Sequence, residues 1–255
     1  MTFELVTVPC LEDNYAFIVH EAETNTTLLV DVPEADPIRA ALSERGWTLN
    51  HVLFTHHHWD HVDGWNDLRK THSAITIGAQ ADEYRLPALD MAINDGDTIQ
   101  IGSEICQVFD VSGHTVGHIA VYMPTAKIVF TADSIMALGC GRLFEGTPAQ
   151  MWESLCKLMS LPKDTLVCSG HEYTTGNAKF AITVDPDNIA LRSRMDEIQE
   201  KRAKNIPTIP SLLSEELATN PFLRADDHNI RKTLGMLDES DAQVFARIRQ
   251  LKDNF

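Results

Sequence analysis

Seven consecutive residues, Thr55-His56-His57-His58-Trp59-Asp60-His61, place four imidazoles and a carboxylate directly behind the apolar run Val52-Leu53-Phe54. A strand that ends in such a run must hand it to a loop, because these groups are costly to bury in an apolar core. On extended chain alternate residues face the same way, so His56 and His58 can reach one point while His57 and Trp59 turn away. A helix is expected over Val62 to Lys70, and the bend before it aims Asp60 and His61 at a neighbouring point. Imidazole and carboxylate donors suit zinc, and equally iron or manganese.

Three later residues extend the set. His114 sits in Ser112-Gly113-His114-Thr115, at a strand-end turn. Asp133 follows Ile128-Val129-Phe130, and His171 follows Leu166-Val167-Cys168. Seven such side chains are too many for one tetrahedral ion. They suit two ions about 3.5–4 Å apart that share a bridging carboxylate. His56, His58 and His114 are assigned to the first ion; Asp60, His61 and His171 to the second; Asp133 bridges. Asp31, at the end of Leu28-Leu29-Val30, is placed to orient an imidazole. His118 reads equally as support for the ligands or as the start of a strand. His20, His51, His72 and His228 are read as surface residues.

Around these points the first 170 or so residues alternate short β-rich runs with turns. Strands are expected over Phe3–Val8, Ala16–His20, Thr27–Val32, His51–Thr55, Ala74–Gly78, Thr98–Ile101, Glu104–Asp110, His118–Met123, Lys127–Thr131 and Thr165–Cys168. A helix capped by Asp36 should run to Gly46, and Pro148–Ser160 is amphipathic, with Met151, Leu155, Leu158 and Met159 on one side. Beyond His171 strand signals give way to helical ones, over Thr175–Thr183, Asn188–Lys204, Ser211–Ala218 and Ser240–Lys252. Ser240 and Gln243 form a capping box there. This pattern implies an α+β catalytic domain over residues 1–172 and a helical domain over residues 173–255.

The chain of 255 residues carries a formal charge of −16. So acidic a surface repels phosphate backbones and anionic membranes, which argues against nucleic-acid and membrane partners. Five cysteines, none in a CxxC pair, argue against a disulfide framework and suit a reducing compartment. No secretory signal is read at the start, and no apolar run approaches the ~18 residues a membrane span needs. A cytoplasmic monomer is expected.

The runs THHHWDH, SGHT, FTAD and SGHEYT, in that order and at those separations, resemble the metallo-β-lactamase superfamily. Within it the chain is similar to the glyoxalase II (hydroxyacylglutathione hydrolase) family. Three further segments carry that resemblance: Gly139-Cys140-Gly141-Arg142-Leu143-Phe144-Glu145-Gly146-Thr147; Gly170-His171-Glu172-Tyr173-Thr174 with Asn177 and Phe180; and Arg249-Gln250-Leu251-Lys252-Asp253-Asn254-Phe255. Arg142 stands where many members carry Lys, and Phe144 where some carry Tyr.

The resemblance implies an αββα sandwich with a C-terminal helical domain that helps bind glutathione. It implies hydrolysis of S-D-lactoylglutathione to glutathione and D-lactate, in methylglyoxal detoxification. The seven ligands carry over to the positions already assigned. Arg142, Arg249 and Lys252 would hold the glycine carboxylate of glutathione. Tyr173 would bond its backbone, and Phe144 and Asn177 complete the substrate-binding set. Water on such ions has its pKa lowered to about 7, so hydroxide is available to attack the thioester at neutral pH. Asp60 and Asp133 are the expected catalytic carboxylates. An ordinary thiol has a pKa near 8.5, so its thiolate leaves without a dedicated acid.

Overall fold

The computed structural model describes residues 2–255. The chain divides into two compact units. One is built from the chain up to Asp110 together with Val116–Ala132; the other from Val111–Thr115 together with Asp133–Phe255.

In the first unit, β1 (Phe3–Cys10), β2 (Asn14–Glu21) and β3 (Thr26–Val30) pair antiparallel. β4 (His51–Phe54), β5 (Ile75–Ala79) and β6 (Met91–Ile93) extend the same sheet in parallel, in the order β1-β2-β3-β4-β5-β6. Parallel neighbours need a crossover, and helix α1 (Ala35–Arg45) supplies it between β3 and β4. Ile38 and Leu42 of α1 pack with Leu29, Val52, Phe54 and Leu68 in one buried cluster. Burial at this density fixes where β4 ends, and therefore where the histidine run begins.

Two local expectations shift. Helix α1 starts at Ala35 with Glu34 as its N-cap, so Asp36 lies in the first turn and forms an ion pair with Arg39. Pro37 does not prevent this, because amides of a helix's first turn have no intrahelical acceptor to lose. The helix expected over Val62 to Lys70 is two short ones, α2 (Trp59–Val62) and α3 (Trp65–Leu68). The break follows from competing bonds: Gly64 N donates to Val32 O at 2.9 Å, and His61 O accepts from Val32 N at 2.7 Å. The loop after β3 thus ties down the segment that carries Asp60 and His61.

The rest of this unit is an antiparallel run: β7 (Thr98–Ile101), β8 (Glu104–Asp110), β9 (Ile119–Met123) and β10 (Ile128–Ala132). β7 and β8 form a hairpin that turns at Gly102-Ser103. Its Ser103 amide donates to Glu21 at 2.8 Å, which joins the hairpin to β2. His20 is buried rather than on the surface. Its ring stacks on Trp47 at 4.4 Å between centroids, and its Nδ1 lies 3.0 Å from the Thr27 hydroxyl.

The second unit contains a short ribbon, β11 (Ile135–Met136) and β12 (Gly139–Cys140). Helix α4 (Pro148–Met159) follows, opened by a capping box of Thr147 and Gln150. Then come β13 (Leu166–Ser169), α5 (Thr174–Val184) and α6 (Ile189–Ala203). The segment expected as helix from Ser211 begins instead as β14 (Ser211–Leu212), paired with β13, before α7 (Leu213–Thr219). A helix with no sequence expectation, α8 (His228–Leu234), is capped by Asp227 and ended by left-handed Gly235; only Ile230 of it is buried. Helix α9 (Asp241–Asp253) carries the anticipated Ser240–Gln243 capping box. Phe180 packs on Phe222 and Phe222 edge-on against Phe245, with centroids 6.0 and 6.1 Å apart. All five cysteines are free thiols. Among the described residues no helix is long and apolar enough to cross a membrane.

Candidate metal centre

The first unit holds four of the seven expected ligands at the end of β4. His56 and His61 are fully buried, and His58 and Asp60 are partly exposed. Ligand atoms of Asp31, His56 and His61 lie within 4.8 Å of one another. Asp31 orients this group. Its Oδ2 accepts from His61 Nδ1 at 2.7 Å and from the Thr55 hydroxyl at 2.8 Å, and its Oδ1 accepts from Thr55 N at 2.9 Å. The Thr55 hydroxyl, having given its proton to Asp31, accepts from His56 Nδ1 at 3.0 Å. One carboxylate therefore fixes two imidazoles with Nδ1 protonated, so that each presents an unprotonated Nε2.

Asn14, which the sequence reading missed, donates from Nδ2 to Asp60 O at 3.0 Å and to Asp60 Oδ2 at 3.1 Å. His57 turns away from His56 and His58, as strand alternation requires, and bonds Asp82 at 2.8 Å. Trp59 also turns out and is 63% exposed. His118 is buried and stacks on His56 at 4.6 Å, so it supports a ligand ring while also preceding β9.

The second unit brings together the other three. His114 Nε2 and His171 Nε2 each lie 3.4 Å from Asp133 Oδ2, and all three residues are buried. The backbone carbonyl of Arg142 accepts from His114 Nδ1 at 2.7 Å, which again points Nε2 at the carboxylate. This approach demands glycine at 141. A Cβ there would lie 2.0 Å from Asp133 O and 3.0 Å from His114 Nδ1. The segment is held from behind. Glu216 accepts from Leu138 N at 2.9 Å, and Asn220 Nδ2 donates to the carbonyls of Met136 and Gly139 at 3.1 and 2.9 Å.

These donors fit divalent cations. The Nδ1 atoms of His56, His61 and His114 are committed to hydroxyl, carboxylate and carbonyl partners, and the Nε2 atoms of His61, His114 and His171 face further carboxylates. No cysteine takes part, which excludes the thiolate-rich sites typical of structural zinc.

The expected substrate residues lie in the second unit. Phe144 is 63% exposed with its ring 5.3 Å from that of His114, and Tyr173 stacks on His171 at 4.6 Å with the planes 7° apart. Arg142 Nε is 3.8 Å from Asp253 Oδ1. Arg249 is buried, donates to Cys140 O at 2.9 Å and pairs with Asp253 at 2.8 Å. Lys252 Nζ donates to Gly176 O at 3.3 Å. Burial, then the charges of Arg249 and Arg142, hold the Lys252 pKa below its usual value. Three cations against one carboxylate make this patch positive in a chain of net charge −16. Asn177 is turned inward and donates to Ala137 O at 3.0 Å, so it buttresses the Gly139 segment. Glu172, next to His171, accepts from Thr208 N at 2.9 Å. That partner is 36 residues away, and nothing in the sequence signalled it.

The profile described as "Metallo-beta-lactamase superfamily" matches residues 13–171, and that of "Hydroxyacylglutathione hydrolase C-terminus" matches residues 172–255. A hydroxyacylglutathione hydrolase of Ruegeria pomeroyi is 60% identical over 255 residues, covering 100% of both chains. The chain belongs to the hydroxyacylglutathione hydrolase family. A second member, from Cereibacter sphaeroides, is 56% identical, again with 100% of both chains covered. Two solved structures share the fold. ETHE1 from Myxococcus xanthus has a TM-score of 0.66 at 23% identity, over 98% of this chain and 90% of that one. The BLEG-1 B3 metallo-beta-lactamase has a TM-score of 0.66 at 18% identity, over 88% and 100%. The α+β sandwich with a helical C-terminal part, expected from the sequence motifs, is therefore the fold of this family member.

Proposed function

We propose that this chain hydrolyses S-D-lactoylglutathione and related S-acylglutathiones to glutathione and the free acid, in the cytoplasm and as a monomer. In this reading His56, His58 and His114 would hold one divalent ion and Asp60, His61 and His171 another, with Asp133 the carboxylate both would share. Zinc is the first choice of metal, with iron and manganese compatible with the same donors. The observation that carries it is the grouping of ligand atoms. Within one unit those of Asp31, His56 and His61 come within 4.8 Å of one another, and within the other His114 Nε2 and His171 Nε2 each lie 3.4 Å from Asp133 Oδ2.

When bound, the ions would supply Lewis acidity, lowering the pKa of a coordinated water and polarising the thioester carbonyl. The side chains do the rest. Asp60, with Oδ2 pinned by the Asn14 amide, accepts a hydrogen bond from the attacking water and sets its direction. Asp31 keeps His61, and through Thr55 also His56, in the tautomer that offers Nε2. Arg142, Arg249 and Lys252 receive the glycine carboxylate, Tyr173 bonds the glutathione backbone, and Phe144 completes the binding set. Residues 1–172 would thus carry the chemistry and residues 173–255 most of the glutathione contacts.

The test compares S-D-lactoylglutathione with a lactoyl thioester of N-acetylcysteamine, which lacks the peptide. Losing even one charge-assisted contact of about 1.5–3 kcal/mol should lower kcat/KM at least about tenfold. Equal kcat/KM for the two thioesters would remove glutathione from the reading.

A further inference from the structure

His57 stands between two expected ligands yet faces the other way, into a network that the reaction does not use. Its Nδ1 lies 2.8 Å from Oδ2 of Asp82, a fully buried carboxylate that begins the turn after β5. The other oxygen of Asp82 pairs with Arg85 Nε. Arg85 Nη2 in turn donates to the Val116 carbonyl at 2.8 Å, two residues after His114 in the sequence. The next residue, Gly117, presses on Asp82: at its φ of 92° a Cβ would sit 2.9 Å from the Asp82 Cβ. The same stretch is tied a second time, since Ile119 N donates to Thr55 O at 3.0 Å, beside His56. His118, between these ties, stacks on His56.

We propose that Asp82 and Arg85 are positioning residues that set the spacing of the His56–His58 pair and of the segment leaving His114. They would thereby govern affinity at the first ion while leaving the second largely untouched. The inference rests on the di-metal reading above. A buried carboxylate satisfied by one ring N–H and one guanidinium is a rigid joint, because each oxygen has a single directional partner. The network holds His57, which lies between His56 and His58 in sequence, and the Val116 carbonyl, two residues after His114. Replacement of such outer partners typically weakens metal binding about 10- to 100-fold.

The variants are Asp82→Asn, which keeps shape but cannot accept at both oxygens, and Arg85→Met, which keeps the stem. Each is purified in full length, stripped with chelator and titrated with zinc, and bound metal is counted against free zinc. Wild type should take up two equivalents. The variants should bind one equivalent as wild type does and the other about 10- to 100-fold more weakly. Saturating zinc should restore kcat, and KM for S-D-lactoylglutathione should stay within about twofold, because no glutathione contact has been touched. Thermal unfolding of the zinc-saturated variants separates a lost fold from a loosened site. Two wild-type affinities in Arg85→Met, or equal weakening of both ions, overturns the proposal. Failure of wild type itself to bind two ions would instead overturn the di-metal reading.

Discussion

Replacing Asp31 by Asn isolates what a single carboxylate contributes to the metal centre. Asp31 adopts a left-handed φ of 58°, which Asn tolerates as well as Asp, so the backbone is not the variable. Asp31 accepts three hydrogen bonds, and an amide can accept on only one of its two heads. If the amide oxygen keeps His61 and the Thr55 hydroxyl, its NH2 confronts the Thr55 amide, 2.9 Å from where Oδ1 stood. If the amide is turned the other way, NH2 meets His61 Nδ1 and the Thr55 hydroxyl. His61 must then carry its proton on Nε2, and Thr55 must give its proton to His56, with the same effect there. One arrangement leaves a buried donor unpaired, at about 1–3 kcal/mol, and the other blocks two ligand nitrogens. Since 1.36 kcal/mol is tenfold, zinc affinity should fall about 10- to 100-fold, and for both ions. Zinc titration of the stripped protein reads this directly. Two ions bound at wild-type affinity in Asp31→Asn would refute the tautomer argument.

Two further outcomes follow from the positive patch. Arg249→Ala should raise KM for S-D-lactoylglutathione more than it lowers kcat. It should also lower the thermal midpoint, because the buried Cys140 carbonyl loses its donor at a cost of about 1–3 kcal/mol; an unchanged KM would take Arg249 out of the site. Lys252 has a depressed pKa, so its charge is lost as pH rises through a value below its usual 10.5. Binding of S-methylglutathione, followed by calorimetry, should therefore weaken over that alkaline range in wild type and weaken less in Lys252→Arg. Identical pH profiles would contradict it.

The residues that lie along the chain in short runs were legible from sequence. The His56–His61 motif sits behind β4, and Asp133 and His171 follow β10 and β13, because an apolar strand flanked by polar residues announces its own end. Asp31 was legible for the same reason. The supports were not. Asn14 meets Asp60 across 46 residues and Asp82 meets His57 across 25, and neither partner carries a local pattern. The split between α2 and α3 was hidden because helical periodicity continues through it, while the decisive bonds come from Val32 in a distant loop. β14 is two residues long, and α8 buries a single Ile, so neither has enough apolar signal to register. His20 was misplaced because its burial comes from Trp47, which arrives from the far end of α1.

Metal content and thioesterase activity measured on one preparation, through stripping and stepwise zinc return, put the heart of the account at risk. The expected result is no turnover of S-D-lactoylglutathione without metal, and activity that climbs to full only as the second equivalent binds. Turnover by the stripped protein, or full activity with no more than trace metal, would contradict it.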